Sequence, residues 1–244
     1  MMALSQNDLQ YAHRISRQLD RGAALTQSDL NSLCGEWEDR LQPHQGQRDE
    51  LFAVVLPDGT TTGVCGPRWL FHLFGLRHRA VEIALATPTG LVVLQRRSPT
   101  KAEWPNALDM AVAGHVSQSP DGSDMTFEQA AWKEIAEEIG LHERDSRTVL
   151  VEGKLTCVGS PYCSFEGRWQ DNPPFLDAEV RQIFAATLTG EGLSRIAFPD
   201  NEVAGILLAT VETAWDILLT ASIASGLRYS LPRYLDWLER GRAD

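Results

Sequence analysis

The chain contains few basic residues. Lys and Arg together number 22 against 33 Asp and Glu, which gives a formal net charge of −11. Proteins that bind nucleic acid rely on clustered Lys and Arg to neutralise phosphates, so this charge balance argues against nucleic acid as a partner. A small phosphorylated substrate is still compatible with it, because a metal ion and a few arginines can neutralise a phosphate group locally.

Long apolar runs and paired cysteines are also absent. No run reaches the roughly 18 apolar residues that a membrane-spanning helix needs, and the first ten residues lack the basic segment and apolar core of a signal peptide. The four cysteines, Cys34, Cys65, Cys157 and Cys163, form neither a CxxC pair nor a zinc-binding spacing. We therefore expect a cytoplasmic protein with reduced thiols and no membrane partner.

The order of predicted elements indicates an α+β fold. Residues 5–43 have helical periodicity with caps at Ser5 and Thr26, and a hairpin with a Pro-Asp-Gly turn follows. Strands and a central helix at 126–139 come next, with further strands predicted at 152–158, 179–188 and 203–209 and two helices after them. This order predicts an α-β-α sandwich on a mixed central sheet, preceded by a small helical and hairpin region. We place the domain boundary between residues 1–75 and 76–244.

Three carboxylates in the predicted central helix need an explanation. Glu134, Glu137 and Glu138 stand at positions i, i+3 and i+4, so a helix places them on one face, about 6 Å apart. Like charges this close repel each other, and folding does not require them there. A solvated acidic face would explain an isolated Glu-rich helix. A divalent cation is the functional alternative, favoured by the scarcity of basic partners and by the glycine at Gly114 ahead of the helix.

This segment resembles the Nudix box. Gly114 and the run from Lys133 to Leu141 (KEIAEEIGL) match the family pattern of a Gly followed by Arg-Glu-hydrophobic-x-Glu-Glu-x-Gly-hydrophobic, with Lys133 in place of Arg. The first half departs from the pattern, since the loop is about five residues longer and Met125 stands where the family has its first Glu. Asp124 is the acidic neighbour that could replace it.

The resemblance implies a metal-dependent hydrolase with a Nudix sandwich fold. In that family the counterparts of Glu134, Glu137 and Glu138 bind Mg²⁺ or Mn²⁺, and the counterpart of Lys133 orients the glutamates. Water then attacks a phosphorus of a diphosphate, with the metal neutralising charge. Lysine keeps the charge but cannot form the bidentate contacts of arginine, so some loss of geometry is expected.

A second resemblance is to the isopentenyl-diphosphate isomerase-like branch of the same superfamily. It is carried by the segments Arg77–Val81, Leu94–Lys101, Trp104–Pro105 and Asp109–His115. It implies that Arg97 and Lys101 bind the substrate diphosphate. It also implies that His78, His115 and Glu138 are metal ligands. Asp177 and Glu179 match two acidic residues that serve metal binding and proton transfer in that branch. The glycine loop at Gly114, ahead of the helix, suits a backbone brought close to the metal and the substrate.

Ala113 decides between hydrolysis and isomerisation. The isomerases have a catalytic Cys immediately before the Gly-His pair, and an alanine at that position cannot transfer a proton. True isomerases also lose most of the hydrolase glutamates, whereas this chain keeps all three. We therefore predict a diphosphate hydrolase, with an isomerase or a catalytically weak binding module as alternatives.

The sequence leaves the substrate and the assembly open. The N-terminal region resembles the one that precedes Nudix modules in thiamine-diphosphate-related hydrolases, which suggests a non-nucleotide diphosphate as one candidate substrate. The predicted partner is a small diphosphate-containing molecule. A homodimer is left open, as is a role of residues 1–75 in protein interaction.

Overall fold

The computed structural model describes residues 1–119 and 122–241. These residues divide into two compact units, each assembled from three stretches of chain. The first unit comprises Met1–Ala80, His115–Met125 and Pro161–Arg181. The second unit comprises Val81–Gly114, Thr126–Ser160 and Gln182–Asp244.

Four helices and a small antiparallel sheet build the N-terminal part of the first unit. The helices are α1 (Gln6–Gln18), α2 (Gln27–Leu41), α3 (Gln45–Asp49) and α4 (Arg68–Phe74), and the two strands of the sheet are β1 (Leu51–Val55) and β2 (Thr61–Pro67). The predicted caps are confirmed, because Ser5 and Thr26 accept hydrogen bonds from the backbone N–H groups of Asp8 and Asp29. The core of this unit is rich in large aromatic residues, including Trp37, Trp69, Phe52, Phe71 and Phe74.

Eight strands form the central sheet, in the order β10-β4-β3-β9-β7, with β5 paired to β4, β6 to β3 and β8 to β9. In chain order the strands are β3 (Arg77–Ala86), β4 (Val92–Arg97), β5 (Leu108–Met110), β6 (Val112–His115), β7 (Thr156–Cys157), β8 (Tyr162–Arg168), β9 (Phe175–Thr187) and β10 (Val203–Ala209). The α+β class and the mixed central sheet are thereby confirmed, with helices preceding the sheet.

Among the described residues, the second unit contains five further α-helices. They are α5 (Phe127–Ile139), α6 (Ser146–Val149), α7 (Gly190–Ser194), α8 (Val211–Thr220) and α9 (Ser225–Gly241). Helix α8 contacts β10 and α9, and α9 contacts β5. No helix within the described residues combines the length and apolar character needed to cross a membrane.

Two strand predictions differ from the structure. Of the strand expected at 152–158, only Thr156–Cys157 is extended, because Gly153 adopts a positive φ of 66° in the turn that precedes it. Strand β8 was not predicted, since its alternation of polar and small residues gives no apolar period. It pairs with β9 in a register that places Ser164 opposite Glu179 and Glu166 opposite Asp177. The domain boundary at residue 75 stays a prediction.

Candidate functional site

Helix α5 carries the three glutamates, and local sequence fixes both of its ends. The Thr126 hydroxyl accepts from the Gln129 N–H at 3.1 Å, and the Gln129 side chain accepts from the Thr126 N–H at 2.8 Å. This reciprocal pair is a capping box. The helix ends at Gly140, whose φ of 70° is a left-handed conformation that glycine adopts without strain.

The three glutamates differ in burial and share one lysine. Glu134 and Glu138 are buried, whereas Glu137 is exposed. The Lys133 ammonium lies 3.0 Å from Glu134 Oε1 and 2.8 Å from Glu137 Oε2. Burial would lower the pKa of Lys133, but these two carboxylates outweigh it and raise the pKa above its usual value. Lys133 therefore compensates part of the repulsion and holds both carboxylates in place.

Glu138 is the most enclosed of the three. Burial and the nearby charge of Glu134 raise its pKa well above the usual value, opposed by Lys101 and by the Ala113 N–H. One oxygen, Oε2, accepts from the Gln95 side-chain Nε2 at 3.1 Å and from the Ala113 N–H at 3.2 Å. The sequence did not indicate Gln95 as a site residue, although it lies in the segment Leu94–Lys101 that carries the second resemblance.

Gly114 lets helix α5 approach the end of β6. A Cβ built on Gly114 would lie 2.2 Å from the carboxyl group of Glu134, a distance that no real contact shows. The backbone of Gly114 and the side chain of Glu134 therefore occupy adjacent space only because residue 114 has no side chain. This is a physical reason for glycine at this position.

Both cations predicted to bind the substrate are paired with acidic residues in the second unit. Arg97 donates to Asp109 Oδ2 at 3.1 Å and to the Glu103 carbonyl. Lys101 forms an ion pair with Glu202. Lys101 is also close enough to Glu138 to oppose the rise of its pKa. The structure thus brings Lys101 near a box glutamate, and a phosphate would have to replace the acidic partner of each cation.

A second group of potential ligands lies in the first unit. His72 on α4, His78 on β3, His115 at the end of β6 and Asp177 on β9 each offer a ligand atom, and these atoms lie within 4.8 Å of one another. We call these four residues the histidine cluster. His78 and His115 were predicted as metal ligands; His72 was not, and the only signal in the sequence is a histidine within the apolar segment WLFHLF.

The contacts of His78 leave one of its two ring nitrogens available to a cation. His78 Nδ1 lies 3.0 Å from the Leu76 carbonyl, which can only accept, so Nδ1 carries the proton and Nε2 a lone pair. Burial, followed by the charge of His115, lowers the pKa of His78 to about 3, and burial lowers that of His72 as well. Within the described residues, Nε2 of His78 and Oδ1 of Asp177 are buried without a hydrogen-bond partner and lie 3.5 Å from each other.

Glu179 borders the histidine cluster. Its Oε1 lies 3.3 Å from His115 Nε2 and 3.8 Å from His78 Nε2, and its other oxygen pairs with Arg181. Burial would raise the pKa of Glu179, but Arg181 and His115 outweigh it and lower the pKa to about 2. Burial and the charge of Glu179 raise the pKa of Asp177 instead. The neutral imidazole of His78 beside the Glu179 carboxylate is a donor pair that suits a divalent metal.

The two residues at the position of the missing first glutamate lie in the first unit. Met125 is partly buried, and Asp124 is exposed and forms an isolated antiparallel bridge with Gln118. Burial lowers the pKa of the Arg79 guanidinium, and the Asp124 carboxylate opposes that shift. Asp124 therefore has a basic partner in its own unit, and its use as a substitute for the first box glutamate stays a prediction.

Comparison with known proteins gives a family match and partial relatives. A model of the NUDIX domain matches residues 76–233, which is more than half of the chain. Nudix hydrolase 3 of Arabidopsis thaliana is 36% identical over 94 residues, which are 38% of this chain and 12% of that protein. A Methanosarcina mazei protein named prenyl-diphosphate phosphatase is 32% identical over 95 residues, which are 37% of this chain and 50% of that protein. The chain thus spans half or less of the length of these relatives.

A solved structure shares the fold. The crystal structure of DR0079 from Deinococcus radiodurans superposes with a TM-score of 0.50 at 21% sequence identity, and the match covers 75% of this chain and 98% of that one. At this level of identity the likeness supports the fold alone.

Proposed function

The chain belongs to the NUDIX domain family, and from this membership we propose that it is a Mg²⁺-dependent hydrolase that cleaves a diphosphate linkage in a small phosphorylated metabolite. The observation that carries the proposal is the arrangement of Glu134, Glu137 and Glu138 on α5, with Lys133 between two of them and the Gly114 backbone against Glu134. An acidic helix face that was merely solvated would not bury two of its three glutamates.

The three glutamates offer carboxylate oxygens to a hard divalent cation, whereas among the described residues only the histidine cluster brings its ligand atoms within 4.8 Å of one another. Carboxylate oxygens are the ligands that Mg²⁺ and Mn²⁺ prefer, and Glu138 keeps one oxygen without a hydrogen bond among the described residues. When bound there, such a metal lowers the pKa of a coordinated water and neutralises charge on the diphosphate. Lys133 holds Glu134 and Glu137, while Arg97, Lys101 and the Gly114 backbone bind the diphosphate.

We propose the histidine cluster with Glu179 as a metal-binding group of the first unit. The neutral ring of His78 and the buried atoms His78 Nε2 and Asp177 Oδ1, which have no hydrogen-bond partner among the described residues, favour a cation there. The resemblance to the isomerase-like branch assigns ligand roles to His78 and His115. Glu179 would serve as a ligand or accept a proton. Its lowered pKa keeps it ionised near neutral pH, which favours the ligand role over proton acceptance.

The substrate class proposed is a non-nucleotide diphosphate. The Methanosarcina mazei relative is named a prenyl-diphosphate phosphatase, and the resemblance to the isomerase-like branch favours the same chemistry. Isomerisation is the second candidate, favoured by the histidine cluster but opposed by Ala113, which supplies only its backbone N–H to Glu138. We also propose that the protein is cytoplasmic and has no nucleic-acid or membrane partner. A homodimer is a further proposal.

A screen of diphosphates with phosphate detection tests the proposal. It should include nucleoside diphosphate sugars, dinucleotides, isoprenoid diphosphates and thiamine diphosphate, each with Mg²⁺ and with Mn²⁺. We expect release of phosphate or a phosphorylated fragment from at least one of them. Allylic product from isopentenyl diphosphate without phosphate release would favour the isomerase. The absence of both metal binding and turnover would favour a binding module.

Glu138→Gln provides the matched variant. We predict that it lowers turnover by at least about 100-fold, because the amide keeps the shape but removes the charge that holds the metal. Glu152→Gln, at an exposed position in the second unit, is the control and should leave turnover unchanged. Near-normal turnover of Glu138→Gln would contradict the metal assignment.

A further inference from the structure

Strand β4 places Gln95 and Arg97 on one face, since residues two apart in a strand point the same way. Arg97 bonds to Asp109, and Gln95 is buried and bonds to Glu138. Neighbouring strands fix the backbone at Gln95 on both sides, because its register partners are Ile206 on β10 and Asp109 on β5. The strand therefore presents a fixed amide to one of the three box glutamates.

The hydrogen-bond donors around Glu138 show which of its two carboxylate oxygens is already bonded. A backbone N–H can only donate, so the Ala113 bond requires Glu138 Oε2 to act as an acceptor. The Gln95 group that faces the same oxygen must then be its NH₂, because an amide oxygen would meet another acceptor. Both donors converge on Oε2, and no hydrogen bond to Oε1 is formed within residues 1–119 and 122–241.

We propose that Gln95 is a positioning residue for the metal site: it holds Glu138 by Oε2 so that Oε1 is presented to the cation. This inference rests on the proposed function, since it assigns a task to a residue that supports one of the proposed ligands. A ligating carboxylate is itself hydrogen-bonded in most metal sites, and losing such a partner costs about 10–100-fold in metal affinity or activity.

The side chain of Gln95 could instead be a buried amide that only stabilises the fold. Gln182 offers the matched control, because it is also buried, lies on β9 in the same unit, and donates to the Ile183 carbonyl at 2.8 Å. Replacing either glutamine with leucine removes a buried amide of the same size. Only the change at Gln95 removes a donor from a box glutamate.

Binding of Mn²⁺ to the full chain, followed by electron paramagnetic resonance of free Mn²⁺, separates the two roles. The Mn²⁺ binding that the wild type shows and Glu138→Gln lacks defines the site at the glutamates. We expect Gln95→Leu to weaken this binding by about 10–100-fold and Gln182→Leu to leave it unchanged. Gln95→Glu should weaken it further, since a second carboxylate would then face Oε2.

Turnover gives a second readout. Once a substrate is found, Gln95→Leu should raise the half-saturating Mg²⁺ concentration about 10–100-fold and leave KM for substrate at saturating metal within about threefold. Wild-type Mn²⁺ affinity in Gln95→Leu would overturn the inference while leaving the hydrolase proposal intact. A wild-type chain with no Glu138-dependent Mn²⁺ binding would overturn both.

A folding defect would not leave the inference untested. If Gln95→Leu fails to give a cooperative thermal transition, Gln95→Asn keeps the amide but shortens its reach by one methylene. Weak Mn²⁺ binding in a folded Gln95→Asn protein supports a positional role. Unchanged binding there overturns it, because the shorter amide cannot reach Oε2 at 3.1 Å without moving the strand.

Discussion

Glu138 experiences opposing electrostatic effects. Burial and Glu134 favour its protonated form, whereas the Ala113 N–H and the charge of Lys101 favour the carboxylate. A cation held by the three glutamates would favour the ionised form of Glu138 much more strongly, since bound metals are often the strongest local charges in a site. Binding of the cation and loss of the proton from Glu138 are therefore linked, and metal affinity should rise with pH.

Gly114→Ala is the sharpest steric test at the residue scale. The added methyl group would meet the Glu134 carboxyl at 2.2 Å, so that the carboxylate or strand β6 must move. We predict that turnover and Mn²⁺ affinity both fall by at least about 10-fold, because ligand geometry tolerates little displacement. Gly205→Ala on β10 is the control, since a Cβ there meets nothing within 4 Å. Equal activity of both variants would contradict the close approach.

His78 makes stability depend on pH in the absence of metal. Its pKa is about 3 in the folded chain against 6.5 for an ordinary histidine, so the unfolded chain takes up a proton first as pH falls. The stability from the neutral ring is complete above pH 6.5 and is lost progressively between pH 6.5 and 3. At pH 5 the loss amounts to about 2 kcal/mol.

Urea unfolding with a chelator present measures this loss. Between pH 7.5 and pH 5 the wild-type chain should lose about 2 kcal/mol more unfolding free energy than His78→Phe, whose ring can still stack on Phe52 as His78 does at 4.7 Å. His44→Asn at an exposed position should behave like the wild type. Identical losses in wild type and His78→Phe would show that the ring titrates normally.

At the scale of the element, the capping box fixes the first turn of α5 and thereby helps to orient the three glutamates on this helix. Thr126→Ala removes the acceptor for the Gln129 N–H, and we predict a loss of about 1 kcal/mol in unfolding free energy. Thr210→Ala at the start of α8 removes a similar cap at 3.2 Å and should cost a similar amount. Only Thr126→Ala should also weaken Mn²⁺ binding. Equal Mn²⁺ affinities would mean that the first turn of α5 does not position the glutamates.

Helix α5 could be predicted in detail because its signals are local. Caps, the spacing of the glutamates and the terminal Gly140 all lie within fifteen residues, and the structure confirms that helix. Gln95 and His72 were out of reach, because their partners are 43 and 105 residues away along the chain. Nothing in one sequence distinguishes a buried amide that supports a ligand from one that merely packs. Strand β8 was missed because none of its residues is buried, so no strong apolar alternation marks it in the sequence.

At the scale of the whole molecule, the first unit joins the N-terminal region to a later hairpin. The Leu4 N–H donates to the Asn172 side chain at 2.6 Å, and the Asn172 amide donates back to the Leu4 carbonyl at 2.9 Å. The His72 ring stacks on Phe175 at 4.6 Å. Residues 1–75 are therefore packed with residues 161–181, although a role for the N-terminal region in protein interaction stays open.

Deleting residues 1–75 tests whether this region is a separable extension. The deletion removes the aromatic core of the first unit and His72 while leaving the hairpin of β8 and β9, whose Phe175 then loses its stacking partner. We expect the truncated chain to aggregate, because the apolar residues left behind in this unit become exposed to water. Size-exclusion chromatography with light scattering checks this, and deletion of the exposed residues 1–3 is the control. A soluble, monomeric truncated chain with a wild-type thermal transition would show instead that residues 76–244 fold on their own and that residues 1–75 are an added module.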